Sequence, residues 1–130
     1  HLTGDMEWEQ RAWNILRAAS SSMQSYPTGS AVLQRALHVA RESGMEIVIA
    51  AEDDAPWREA LRGRLLDRVV VLHRPRRHAA ALARIAPFTT NFPIEEADAV
   101  YVCRDYACEA PMHDVEEYIA MLDSRENARN

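Results

Sequence analysis

Glu46-Ile47-Val48-Ile49-Ala50-Ala51, followed at once by Glu52-Asp53-Asp54, is the stretch on which the fold turns. It is short, β-branched and almost continuously apolar, as a strand buried on both faces reads, and such strands belong to parallel sheets. Two further runs of the same kind follow, Val69-Val70-Val71-Leu72 and Ala99-Val100-Tyr101-Val102-Cys103. Between the first two, Asp53 and Asp54 serve as caps and Pro56 suits a first helical turn. Trp57, Ala60, Leu61 and Leu65 then make a helical face to about Leu66. Between the second and third, Ala79, Ala80, Leu82, Ala83 and Ile85 line a helix over about 76–86, with a loop from Pro87 to about Glu96. Asp114 caps a last helix whose face is Val115, Tyr118, Ile119 and Leu122.

Upstream of Gly44 the period is helical. Trp8, Ala12, Ile15, Leu16, Ala19 and Met23 describe one face of a helix from Met6 to Tyr26, ended by Pro27. Thr28-Gly29-Ser30 opens a second helix with Val32, Leu33, Ala36, Leu37 and Ala40 inward, and Gly44 stops it. The order ααβαβαβα predicts an α/β fold: a small three-stranded parallel sheet, Rossmann-like or flavodoxin-like, with flanking helices and a preceding helical hairpin. The expected units are the hairpin at residues 1–44, the α/β domain at 45–124 and a frayed polar tail at 125–130. The hairpin either covers one face of the sheet or belongs with a larger helical domain.

The 130 residues, 48% apolar and 27% charged, suit one soluble domain with a single modest core. No apolar run reaches the roughly 20 residues that cross a bilayer. The chain opens on His1 with no basic lead into an apolar segment, so no signal peptide is expected, and an excised piece of a longer protein is. A net charge of −5 repels nucleic acid and anionic membrane, so neither is an expected partner. Two cysteines are too few to staple a secreted mini-protein, and a reducing, cytoplasmic compartment is the expectation.

In an open parallel sheet, ligands sit at the carboxyl ends of the strands. The first end, Ala51-Glu52-Asp53-Asp54, is acidic and lacks the glycine that lets a phosphate approach the backbone. The second, with His73, Arg74, Arg76 and Arg77, is the better anion candidate, set against the plainer reading of a solvated loop. It lies in a stretch where Arg58, Arg62, Arg64, Arg68, Arg74, Arg76, Arg77 and Arg84 meet only Glu59 and Asp67.

Cys103 and Cys108 form the candidate thiol pair. Zinc wants four ligands, and here His113 makes a third while His73 would have to supply the fourth from a neighbouring strand. No metal is therefore expected. The spacing is not the CxxC of a helix-opening redox motif. A disulfide is within geometric reach, but a reducing compartment disfavours it, so Cys103 is expected as a small core hydrophobe and Cys108 as an accessible thiol. No nucleophile elbow, P-loop or zinc-protease motif is present. No catalytic residue and no cofactor are expected for this stretch alone.

Residues 99–111, Ala-Val-Tyr-Val-Cys-Arg-Asp-Tyr-Ala-Cys-Glu-Ala-Pro, resemble the carboxyl-terminal signature of the thioredoxin-domain-containing family that includes spermatogenesis-associated protein 20. Tyr101, Val102, Cys103, Cys108 and Pro111 match it position by position. His1-Leu2-Thr3-Gly4-Asp5, with Ala12 and Ile15-Leu16, resembles a helix start in α/α-toroid proteins, and Glu46-Ile47-Val48-Ile49 before acidic residues is similar to the family's strand. Where the family has Gly after that strand, this chain has Ala51. The resemblance implies a parent with an amino-terminal thioredoxin-like domain, a central α/α toroid and this α/β appendage, whose partners are the rest of that parent. The family's thioredoxin-type cysteines and toroid carboxylates lie outside this stretch, so no catalytic residue is carried over. The function this implies is a non-catalytic structural or interaction domain. A thiol-linked accessory role for Cys103 and Cys108, or anion binding at the strand ends, stands as the alternative. Removal from the parent would leave the hairpin free to self-associate.

Overall fold

The computed structural model describes residues 3–41, 44–64, 66, 68–93, 97–104 and 107–127. His1, Leu2, Leu65, Asp67, Glu96, Asp105, Tyr106 and the end of the tail at 128–130, all used in the sequence reading, lie outside them.

The sheet is four-stranded and mixed, in the order β2-β1-β3-β4, where β1 is Met45–Ala50, β2 Val69–His73, β3 Ala99–Arg104 and β4 Ala107–Cys108. β1 runs parallel to β2, with Met45 opposite Val69 and Ile49 opposite His73. It runs antiparallel to β3, with Ala50 opposite Ala99 and Met45 opposite Arg104. The expected three-stranded parallel sheet is thus corrected in strand number and in the direction of its third strand. The helix between β2 and β3, Ala79–Ile85, has 7 residues and spans about 10 Å, whereas β3 has 6 residues and spans about 20 Å. That helix packs on the 3-10 turn that follows it, Pro87–Asn91, so the chain re-enters the sheet at the end where β2 left it. A β-branched run reveals a strand but not its direction.

The helices are α1 (Met6–Ala18), α2 (Ser20–Ser25), α3 (Ala31–Arg41), α4 (Ala55–Glu59), α5 (Ala79–Ile85) and α6 (Val115–Asn127). The single helix expected over Met6 to Tyr26 is broken at Ala19, whose N–H is shared between the Arg17 and Ile15 carbonyls. Ser20, Ser21 and Ser22 follow, a residue type of low helix propensity. The helix expected to reach Leu66 ends at Glu59, and the chain turns through Gly63 at φ 77°. In the other direction, α6 extends to Asn127, through the Ser124 and Arg125 expected to fray. Asp114 opens it as anticipated, accepting the Glu116 and Glu117 N–H groups.

β1 is central and buried on both faces. Met45, Ile47, Ile49 and Ala51 pack with Val100 and Val102 of β3 beneath Trp57 of α4 and Tyr118 and Leu122 of α6. Val48 and Ala50 pack on the opposite face with Ala99, Tyr101, Cys103 and Phe92. Gly44 enters β1 with so little room that a Cβ there would lie 3.2 Å from the Arg68 carbonyl. Past β4 the chain stays on the β3 edge: the Glu109 N–H donates to Val102 O, and Val100 and Met112 exchange both bonds. Between those rungs Tyr101 opposes Ala110 and Pro111, a bulge in which the missing Pro111 N–H is not needed.

Candidate functional site

Direction decides which strand ends meet. The carboxyl ends of β1 and β2 lie together and bring Glu52, Asp53 and Asp54 beside His73, Arg74, Arg76 and Arg77. Cys103 pairs with Glu46 near the amino end of β1, so it is at the other end of the sheet. The His73–Cys103–Cys108–His113 ligand set weighed from sequence is therefore not assembled. His113 Nδ1 instead lies 3.0 Å from the Asp98 carbonyl. Among the described residues, no three metal-ligating side chains cluster.

At the first end the charges pair off. His73 Nε2 is 2.8 Å from Ala51 O, which only accepts, so Nε2 carries the proton, and Nδ1 lies 3.5 Å from Asp54 Oδ2. Asp54 also meets Arg58 Nη1 at 3.4 Å. Glu52 accepts the Arg76 N–H at 2.8 Å and lies 4.0 Å from Arg76 Nε and 3.7 Å from Arg77 Nη1. Asp53 accepts the Ala55 N–H and starts α4. Arg62 pairs with Glu59, and Arg64 reaches Asp123 of α6 at 2.5 Å while its Nε donates to Ala60 O. The Arg-rich stretch is thus largely paired, with Glu52, Asp54 and Asp123 from outside it and Glu59 from within, and His73, Arg76 and Arg77 are engaged rather than open. Arg74 differs. Its residue is 9% exposed, and its Nε and Nη1 are buried without a hydrogen-bond partner.

At the other end, Cys103 and Cys108 are directly opposite in the β3–β4 ladder and joined by a disulfide. Sequence alone predicts free thiols here. Antiparallel pairing, which the spacing does not reveal, is what places residues five apart in register. Cys103 is buried with Val48, Phe92 and Tyr101, while Cys108 is exposed.

A third feature is only partly legible in the sequence. Neither core cluster of the described residues contains a residue of α1, α2 or α3. Within these helices and their link only Leu16 and Ser30 are buried. Val32, expected inward, is 83% exposed, and Trp8 and Ile15 are 62% and 61% exposed. Trp8, Ala12, Ile15, Leu33, Ala36 and Val39 line an apolar groove between α1 and α3. The stripes are visible as spacing, but spacing does not say whether anything covers them. No described helix is long and apolar enough to cross a membrane. Compared with family models, with curated proteins and with solved structures, the chain matches none of them.

Proposed function

We propose that this stretch is a non-catalytic interaction domain of a larger thioredoxin-like protein in the spermatogenesis-associated protein 20-like family. Its α1/α3 hairpin docks on the helices of the parent's α/α toroid, and the sheet is the folded anchor that holds it. The observation that carries this reading is the uncovered groove of Trp8, Ile15, Leu33 and Val39 on helices that share no core with the sheet. Large side chains at helical spacing gain their stabilisation only when a second apolar surface covers them. The resemblance of Tyr101, Val102, Cys103, Cys108 and Pro111 to that family's signature supports the choice of occupant.

Hydrogen exchange on this chain and on the full-length gene product tests it. Amides of Trp8–Leu16 and Leu33–Ala40 should exchange more slowly in the longer protein. Equal exchange, or a gene product without helical hairpins upstream, rejects the reading.

The Cys103–Cys108 disulfide favours a second reading, a thiol-linked accessory role. A dithiol of the parent's thioredoxin-like domain would attack one sulfur, pass through a mixed disulfide, and leave two thiols here and a disulfide there. Failure to trap a mixed disulfide with the full-length protein would remove it.

A further inference from the structure

The acids at the carboxyl ends of β1 and β2 are already committed. Asp54 serves Arg58, Glu52 serves Arg76 and Arg77, and Asp53 caps Ala55. The Arg74 backbone N–H is also committed, donating to Ile49 O at 2.8 Å and continuing the parallel ladder. Pro75 behind it is fully buried and fixes the chain in an extended conformation. What is left over is the Arg74 guanidinium, nine-tenths buried, with Nε and Nη1 unpartnered. A guanidinium is a planar cation that only donates hydrogen bonds. Leaving such donors buried and unmet is among the more costly states a polar group can occupy.

By alternation from Leu72, Arg74 falls on the sheet face that carries Val48, Ala50 and Phe92, away from His73 and Asp54. An apolar surround strengthens any charge-assisted bond made there. Nε and Nη1 lie on different edges of the guanidinium plane, and each makes a two-donor fork with Nη2, the geometry that matches two oxygens of one carboxylate or phosphate. We propose that Arg74 is the receptor for a small oxoanion, a phosphate or carboxylate group, bound at the carboxyl ends of the parallel pair. This site is independent of the docking groove and uses neither cysteine.

The test is a titration of the whole chain, followed by the Arg Nε–H resonances, with inorganic phosphate, sulfate and acetate at constant ionic strength. The Arg74 resonance should shift saturably. Phosphate and sulfate acting without acetate identify a phosphoryl ligand, and acetate acting alone a carboxylate. Arg74→Met should weaken binding about tenfold or more, the loss of a charged hydrogen bond. Arg74→Lys, which keeps the charge but loses the fork, should recover only part of it. The double variant Arg76→Ala/Arg77→Ala should bind as the parent chain does. An Arg74 resonance unmoved by all three anions overturns the proposal, as does binding that persists in Arg74→Met. The resonance titration needs no variant, so it stands on its own even where Arg74→Met fails to fold.

Discussion

Cys103 and Cys108 face each other directly across the β3–β4 ladder, one in the core beside Tyr101 and the other at the surface, and a disulfide joins them. The bond closes a short loop and holds the two-residue strand β4 on the outer edge of the sheet. An edge so short has little else to keep it paired.

Reduction should therefore be felt in both stability and local order. Closing a loop of this length removes about 2 kcal/mol of chain entropy from the unfolded state. Urea unfolding with and without a reductant should differ by about that amount. The amides of Ala107 to Glu109 should exchange faster in the reduced protein, while those of β1 change little. Identical unfolding curves would show that the pairing of β3 with the Glu109–Met112 segment suffices without the covalent link.

The two tryptophans Trp57 and Trp8 separate the sheet unit from the hairpin. Trp57 is 3% exposed and packs 5.9 Å from the Tyr118 ring, between α4 and α6. Trp57→Ala should destabilise the fold by about 3–5 kcal/mol, a large part of the total for a domain of this size. Trp8 lies against the exposed Arg11 guanidinium and belongs to no core cluster. Trp8→Ala should change stability by about 1 kcal/mol or less. Denaturant midpoints measure both, and comparable losses would mean that the hairpin and sheet unfold as one packed body.

Gly63 ends the α4 region in the left-handed conformation, φ 77°, with open space where a Cβ would stand. The penalty for a side chain there is conformational and not steric crowding, so Gly63→Ala should destabilise by about 1 kcal/mol and Gly63→Asn by less. Thermal unfolding of the two variants checks the order.

Hydrophobic period locates every long strand and most of the helices, because burial fixes side-chain spacing wherever an element forms. It places Ile47, Val48 and Ile49 in a strand buried on both faces, and they are. What period does not encode is strand direction, since an alternating or continuous run reads the same both ways. That one ambiguity moves Cys103 from one end of the sheet to the other and hides its pairing with Cys108. At the strand ends, composition flags His73, Arg74, Arg76 and Arg77 as a group. Which of them is paired depends on Glu52 and Asp54, acids that lie well upstream in the sequence and reach the group only because β1 and β2 run parallel. The hairpin groove is legible as two stripes, but the absence of a cover for them among the described residues is a tertiary property.

Tyr118 is fully buried beside Trp57, and its hydroxyl has no hydrogen-bond partner. Burial pushes its ionisation well above the ordinary value near 10, and the positive charge of Arg64 offsets part of that shift. Below pH 10 the phenol is protonated in both the folded and unfolded chains, so its contribution is constant. Above pH 10 the unfolded chain loses the proton while the folded chain keeps it, so stability falls as pH rises towards the folded pKa, at about 1.4 kcal/mol per pH unit. Tyr118→Phe removes both the unmet hydroxyl and this titration. It should be as stable as the parent chain at pH 7, or more stable by about 1 kcal/mol. Its unfolding free energy should also fall less steeply between pH 10 and the alkaline limit of the fold. A clear loss of stability at pH 7 would mean that a water molecule satisfies the hydroxyl. An unchanged alkaline slope would assign that titration to another group.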